Sequence, residues 1–274
     1  MRGRPSATAL RAGLRRAAHQ LWDVPRVFDD PVAVPLVDST RLSRAKPQRE
    51  SAAAKSTRAL LVARARLAED ALAQAAARGV RQYVVLGAGL DTFACRNPHA
   101  GLRVFEVDHP ATQAWKRAVL AKAGLNPEVT FVPVDFTRQT LAQELRAAGW
   151  SDAEPTFFSC LGVASYLTAE SFLAVLRFVQ GLPAGGGIVF DVPTLSSGLS
   201  LRDRVVRGAV AMKLMLQGEA ARARYDPAVL GATLRAIGFQ AAVFDAAAIN
   251  ARYFAGRGDG LALSGRSALI QAWT

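Results

Sequence analysis

The stretch Gln82 to Arg96, QYVVLGAGLDTFACR, constrains the fold more than any other part of the chain. Tyr83 to Leu86 is a short apolar, β-branched-rich run that ends on Gly87-Ala88-Gly89, which reads as a buried strand entering a glycine turn. With no Cβ at Gly87 or Gly89, the backbone there can come close to a ligand. A second strand, Leu102 to Val107, follows, and Glu106 and Asp108 at its end lie 19 and 21 positions after Gly87. An acidic side chain about 20 residues beyond such a turn can accept hydrogen bonds from two ribose hydroxyls. The two strands together predict an α/β domain that binds a nucleoside, with either acid as the ribose partner.

The glycine spacing narrows the nucleoside. A dinucleotide fingerprint reads G-x-G-x-x-G and holds a pyrophosphate on a helix N-terminus. Here Gly87-x-Gly89 runs on into Leu90, Asp91 and Thr92, so the third glycine is absent and an acid stands in the turn. Asp91 would repel a pyrophosphate and attract a cofactor with a cationic centre, such as the sulfonium and α-ammonium of S-adenosylmethionine. A plain strand-ending turn is the other reading of Gly-Ala-Gly.

Four motifs stand in order along the chain: LGAGLDT with Arg96, FEVDHP, a strand ending VDF, and LGVASYLT. In this order they resemble the leucine carboxyl methyltransferase-like family of class I S-adenosylmethionine-dependent methyltransferases, and more closely its bacterial O-methyltransferase branch. The likeness runs from RAAHQLWDVPRVFDDPVA, beginning at Arg16, to RYFAGRGDGL, ending at Leu261. It implies a Rossmann-like class I methyltransferase fold, with a mostly parallel seven-stranded sheet, an antiparallel last strand and an N-terminal helical cap. The cap would occupy residues 1–80 and the cofactor-binding core 81–274, with a helical insertion near 193–226.

The resemblance also implies roles for individual residues. Gly87, Ala88, Gly89 and Asp91 would form the cofactor turn, with Asp108 and His109 at the ribose end. Asp135 would accept from the adenine amino group and Phe136 would pack on the ring; only without the other motifs does a helix N-cap rival that reading of Asp135. Arg64 sits where the family places an arginine for the cofactor carboxylate, which needs a bidentate cation in a closed pocket. Arg66 is the fallback, and Arg58 and Arg64 taken singly read as surface arginines. Arg16 would face the acceptor by the same likeness. Read from the residues alone, His19 could approach it through the N-terminal cap or be structural, and Tyr166 could line it or pack beside Thr168 as the N-cap of the next helix. Leu161-Gly162 departs from the family's Glu-Gly, five positions before Tyr166. Leucine cannot supply a carboxylate for the cofactor ammonium, so backbone carbonyls near Gly87 or Leu161, with Asp91, would have to. Arg252, Tyr253 and Asp259-Gly260 match the family's closing motif.

Composition sets the outer limits. A chain of 274 residues, 51% hydrophobic, can bury one large core. No apolar run reaches the roughly 18 residues that span a bilayer, and the basic N-terminus lacks the apolar stretch of a secretory signal. Cys95 and Cys160 are the only cysteines, with no CxxC and no histidine at ligand spacing, so neither disulfides nor a metal site are expected. These features predict a cytoplasmic protein. The net charge of +12 comes from arginines scattered through Ala-rich helices, without an aromatic-interleaved stripe. That pattern reads as solvated helix surface rather than a nucleic-acid interface.

Along the chain, helices are predicted at Thr8 to Leu21 and Ser51 to Arg78, then strands at 82–87, 102–107, 129–134, 155–161 and 185–191, alternating with helices near 110–123, 138–148 and 168–180. Gly185-Gly186-Gly187 reads as a turn into strand five. An amphipathic segment, Leu199 to Gln217, would be an acceptor lid, a packing helix or a homodimer contact. A capped helix from Asp226 to Ile237 and an antiparallel pair, Phe239 to Phe244 with Ala268 to Trp273, close the chain.

The histidines bear on the acceptor. A carboxylate is ionised at neutral pH and needs no general base, whereas a hydroxyl needs one. His19, His99 and His109 are the only histidines, and none is evidently placed as a base. A methyl ester on a small molecule or peptide is therefore the expected product. Hydroxyl methylation and non-catalytic cofactor binding are the alternatives.

Overall fold

The computed structural model describes residues 6–38, 42, 50–135, 138–194 and 224–274. Strands β1 (Gln82–Leu86), β2 (Arg103–Asp108), β3 (Thr130–Pro133), β4 (Thr156–Cys160), β5 (Gly186–Pro193), β6 (Gln240–Phe244) and β7 (Ser267–Trp273) form one sheet ordered β3-β2-β1-β4-β5-β7-β6. The first five run parallel, and β7 is antiparallel to both β5 and β6. The expected seven-stranded sheet is thus observed, with its strand ends within two residues of those read from the sequence.

Both faces of the sheet are apolar because both are covered. Tyr83, Val85, Phe157, Val189 and Leu269 join one buried cluster, while Val84, Leu86, Phe158, Phe190 and Ile270 join another. Helix α2 (Ala52–Ala77) covers the first cluster with Ala59, Val62, Leu67 and Leu72. On the opposite face lie α4 (Leu141–Ala147), α5 (Ala169–Gln180) and α6 (Pro227–Ala236), with Leu145, Phe172, Leu176 and Leu234 buried. Helices α1 (Ala7–Trp22), α3 (Pro110–Lys122) and α7 (Ala246–Tyr253) complete the described elements.

Three expectations change. Gly186 and Gly187 lie inside β5, because a Cβ at Gly186 would come 2.0 Å from the Thr156 carbonyl oxygen and one at Gly187 2.4 Å from the Trp273 ring. Only Gly185, with φ +72°, belongs to the turn. Helix α7 was not legible in the sequence, and the segment behind it returns onto α2: Lys55 Nζ donates to the Asp259 carbonyl (2.8 Å) and Tyr253 Oη to Asp70 Oδ2 (2.9 Å). Arg58 is not a surface residue: its Nε and Nη2 bond Asp23 at 2.8 and 3.0 Å, Nη1 bonds Glu50, and its guanidinium lies 5.5 Å from the Trp22 ring centre. The amphipathic segment Leu199 to Gln217 lies outside the described residues. No described helix is long and apolar enough to cross a membrane.

A second buried ionic network docks α1. Asp30 is fully buried and accepts from Arg16 Nη2 (2.5 Å) and Thr92 Oγ1 (2.8 Å), with Arg96 Nε at 3.0 Å. Arg96 also grips Glu69 of α2 through Nη2 at 2.6 Å and Nη1 at 3.2 Å. Burial alone would raise the Asp30 carboxyl, but Arg16 and Arg96 outweigh it and hold it below the ordinary range. A depressed folded-state value stabilises the fold above the unfolded value of about 3.9 and is lost as pH falls through the lower folded value. Asp30→Asn is expected to cost about 3 kcal/mol at neutral pH, because it leaves buried guanidinium charge uncompensated. Urea unfolding from pH 6 down to pH 2 should lose stability below about pH 4, less steeply in Asp30→Asn than in the natural chain.

Candidate functional site

The carboxyl ends of β1, β2 and β4 finish on one rim, and α1 lies across it. Between them is a crevice of about 440 Å³ lined by the glycine turn, the ends of β2 and β3, the turn after β4, and one side of α1 and α2. Gly87 and Gly89 hold positive φ, +66° and +50°, and their amides turn back toward β2. The Gly87 N–H donates to the Val107 carbonyl at 2.8 Å, and the Gly89 N–H to Asp108 Oδ2 at 2.6 Å. A Cβ on Gly87 would reach within 2.2 Å of Val163 Cγ2, and one on Gly89 within 3.0 Å of Ala9 Cβ on α1. The turn is therefore pressed from both sides, and glycine is the residue that fits.

Position along β2 separates the two acids, which share a face of the strand: Glu106 lies inside it and Asp108 is its last residue. Glu106 is buried in the core, its Oε2 2.5 Å from Lys116 Nζ on α3, so it does not reach the crevice. Asp108 does line the crevice, and its Oδ1 also accepts from the His109 N–H at 2.6 Å. Burial pushes the Asp108 carboxyl up, against the two amides that hold it down. His109 lines the crevice as the N-cap of α3, where Nδ1 accepts from the Ala111 N–H at 3.2 Å.

Asp91 lines the crevice too, but it is not an isolated charge. Its Oδ1 accepts from the Phe93 N–H at 2.8 Å, and its Oδ2 lies 3.6 Å from Arg16 Nη1. Arg16 itself borders the crevice while bound to Asp30 and Thr92. Asp135 lies on the crevice as well. It does not cap the next helix, which begins at Leu141 after Thr140; instead its N–H donates to Gln139 Oε1 at 2.8 Å. Phe136 lies outside the described residues.

Helical phase separates the two candidate arginines of α2. Arg64 lines the crevice, whereas Arg66 faces away and pairs with Asp70 at 2.7 Å. Leu161, Gly162 and Tyr166 line the far end, where Tyr166 Oη stands 3.4 Å from Thr8 Oγ1 of α1. Thr168 caps α5, accepting from the Ser171 N–H at 3.1 Å.

His19 is a correction. It is fully buried and does not line the crevice. Its Nδ1 lies 2.7 Å from Asp23 Oδ2, and Nε2 accepts from the Val27 and Phe28 amides at 3.1 and 3.3 Å. Both nitrogens hold the loop behind α1, so His19 has none left for an acceptor. The sequence reading also missed Asp191, whose carboxylate contacts Gly162 and Arg64. The available signal was an acid inside the apolar run Ile188 to Val192, a place where a buried strand admits a charge only if it is paired.

The family model described as leucine carboxyl methyltransferase matches residues 9–180. The chain belongs to the leucine carboxyl methyltransferase family. Among its relatives is YktD of Bacillus subtilis (strain 168), provisionally named an S-adenosyl-L-methionine-dependent methyltransferase. It is 36% identical over 214 residues, 68% of this chain and 70% of that one. A Mycolicibacterium gilvum (strain PYR-GCK) protein with the same provisional description is 36% identical over 189 residues, 68% of this chain and 74% of its own. Among solved structures, a DUF574 family protein from Streptomyces avermitilis superposes with a TM-score of 0.56 at 17% identity, over 94% of this chain and 95% of that one. A Thermobifida fusca YX protein, provisionally described as a methyltransferase, gives 0.53 at 16% identity over 99% and 95%. Those two likenesses establish the Rossmann-like fold alone. In this family member the crevice joins all four motifs that carry the resemblance.

Gly87→Ala is expected to destabilise the protein by about 2 kcal/mol or more, since it combines a left-handed backbone with a steric conflict at Val163. Chemical denaturation of the variant beside Gly79→Ala checks this: Gly79 also has positive φ (+97°), but a Cβ there meets nothing within 4 Å.

Proposed function

We propose that this chain methylates a carboxylate of a small molecule or peptide, forming a methyl ester. Family membership makes it an S-adenosyl-L-methionine-dependent methyltransferase; the acceptor is the proposed part. The observation that carries the proposal is the state of the histidines. Among the described residues that line the crevice, His109 is the only histidine, and it caps α3 through Nδ1 beside Asp108. His19 is committed on both nitrogens. A hydroxyl acceptor would need a base at the reacting oxygen. A carboxylate is already ionised at neutral pH.

The residues present fit the cofactor. The cavity is of the size used for small-molecule sites. It has a carboxylate at the end of β2 for ribose hydroxyls (Asp108), an acid after β3 for the adenine amino group (Asp135) and a cation on α2 for a carboxylate (Arg64). When bound, the cofactor supplies an electrophilic methyl on a sulfonium. The chain's own task is alignment and exclusion of water. Helix α1 roofs the crevice with Ala9 and Ala12, Leu61 and Ala65 of α2 line it, and Val163 and Leu167 present apolar surface at the acceptor end. Tyr166 and Thr8 place two hydroxyls, bonded to each other at 3.4 Å, at that end.

Two measurements test this reading. Asp108→Asn should weaken binding of S-adenosylhomocysteine roughly tenfold or more in calorimetry, by loss of charge-assisted hydrogen bonds. Incubation with cofactor and mixed carboxylic-acid acceptors should yield a methylated product that mild base hydrolyses, releasing methanol. A base-stable product would point to a hydroxyl acceptor. Cofactor binding with no demethylated cofactor formed on any acceptor would make the chain a binder rather than an enzyme.

A further inference from the structure

Behind the crevice, at the turn that ends β4, lies a carboxylate that no motif of the sequence singled out. Asp191 of β5 is 7% exposed and lies on the face of the sheet that α2 covers. Its Oδ1 accepts from the Gly162 N–H at 2.5 Å, and its Oδ2 lies 3.1 Å from Arg64 Nη1. Gly162, at φ +74°, leaves room for the Arg64 guanidinium: a Cβ there would stand 2.7 Å from Nη1, 2.9 Å from Nη2 and 3.1 Å from Cζ. The planar head of Arg64 is thus laid against a backbone without a side chain and tethered through one nitrogen. Among the described residues Asp191 is the only hydrogen-bonded partner of Arg64, so further donors of the fork remain available while Arg64 and Gly162 both line the crevice. Leu161, beside them, offers no charge.

We infer that Asp191 is a positioning residue: it fixes the Arg64 fork and the Gly162 amide so that the crevice holds the carboxylate of the cofactor's amino-acid end. This rests on the cofactor reading given under Proposed function. An arginine has five donors in a rigid plane, and a carboxylate on one edge orients the rest. Asp191 does not itself line the crevice, so it acts through Arg64 and the turn rather than on the ligand.

The test compares two ligands that differ only at the amino-acid end. Binding of S-adenosylhomocysteine and of 5′-methylthioadenosine, which lacks the amino acid, is measured by calorimetry on the natural chain, Asp191→Asn, Arg64→Gln and the double variant. Asp191→Asn is expected to weaken S-adenosylhomocysteine roughly tenfold or more, as loss of a charge-assisted contact does. Its affinity for methylthioadenosine should stay within about twofold, well under the tenfold that 1.4 kcal/mol represents. The double variant should bind S-adenosylhomocysteine no more weakly than Arg64→Gln, because the two residues act as one unit. Equal losses for both ligands, unchanged or tighter S-adenosylhomocysteine binding, or additive losses in the double variant would each overturn the assignment. If Asp191→Asn does not fold, Arg64→Gln decides alone: an unchanged ratio of the two affinities overturns it. Failure of the natural chain to bind either ligand would instead remove the cofactor reading on which the inference stands.

Discussion

Asp30 is a carboxylate with no exposure to solvent, and the position of the crevice roof depends on how its charge is met. A lone buried carboxylate is prohibitively costly. Here Arg16 from α1, with Thr92 and Arg96 from the loop after β1, converge on it, and Arg96 reaches on to Glu69 of α2. The two guanidinium groups also stand over the Phe28 ring, at 5.9 and 5.0 Å from its centre. Four segments of the chain therefore share one arrangement in which each of these charges meets an opposite one, although the buried Arg16 Nε has no hydrogen-bond partner. That arrangement lays α1 across the glycine turn, with Ala9 against Gly89. Apolar packing builds the sheet and its helical layers, but directional ionic contacts set the height of the roof.

The same pairing shapes the electrostatics of the crevice. The chain carries a net charge of +12, yet the two arginines bordering the crevice are each held by a carboxylate, Arg16 by Asp30 and Arg64 by Asp191. Asp91, Asp108 and Asp135 add acidic groups along the rim. The basic excess lies elsewhere, and the crevice is instead polarised along its length. Asp108 and Asp135 stand at the ends of β2 and β3, Asp91 stands in the turn after β1 beside Arg16, and the tethered Arg64 stands beside the turn after β4. Such an arrangement suits a ligand with hydroxyls and an amine at one end and a carboxylate at the other.

Much of this was legible in the sequence. Each strand is an apolar, β-branched or aromatic run, and a glycine turn followed by an acid about 20 residues later fixed one end of the crevice. What the sequence left open was settled by geometry on the scale of a single residue. Glu106, inside β2, stays in the core while Asp108, the last residue of the strand, reaches the crevice, and the turn of α2 separates Arg66 from Arg64. His19 is a candidate for the acceptor site because it lies in the N-terminal cap over the cleft. Its occupation by Asp23, four residues on, and by two loop amides depends on a chain reversal that periodicity does not encode. Asp191 was hidden for a related reason, since its partner stands 127 residues earlier. Helix α7 is short and alanine-rich, and its register is set by burial of Ile249 rather than by a repeating pattern.

The return of the C-terminal segment onto α2 has a consequence for how the molecule is made. The contact between Lys55 and the Asp259 carbonyl spans 204 residues, and Ser56 meets Ser264 across 208. On a ribosome the N-terminal end of α2 is made 204 to 208 residues before part of the surface it rests against. Pairings this distant close late and slowly. Helix α2 thus waits for that distant segment before its N-terminal end is covered, which leaves its apolar face in the care of whatever shields such surface in the meantime.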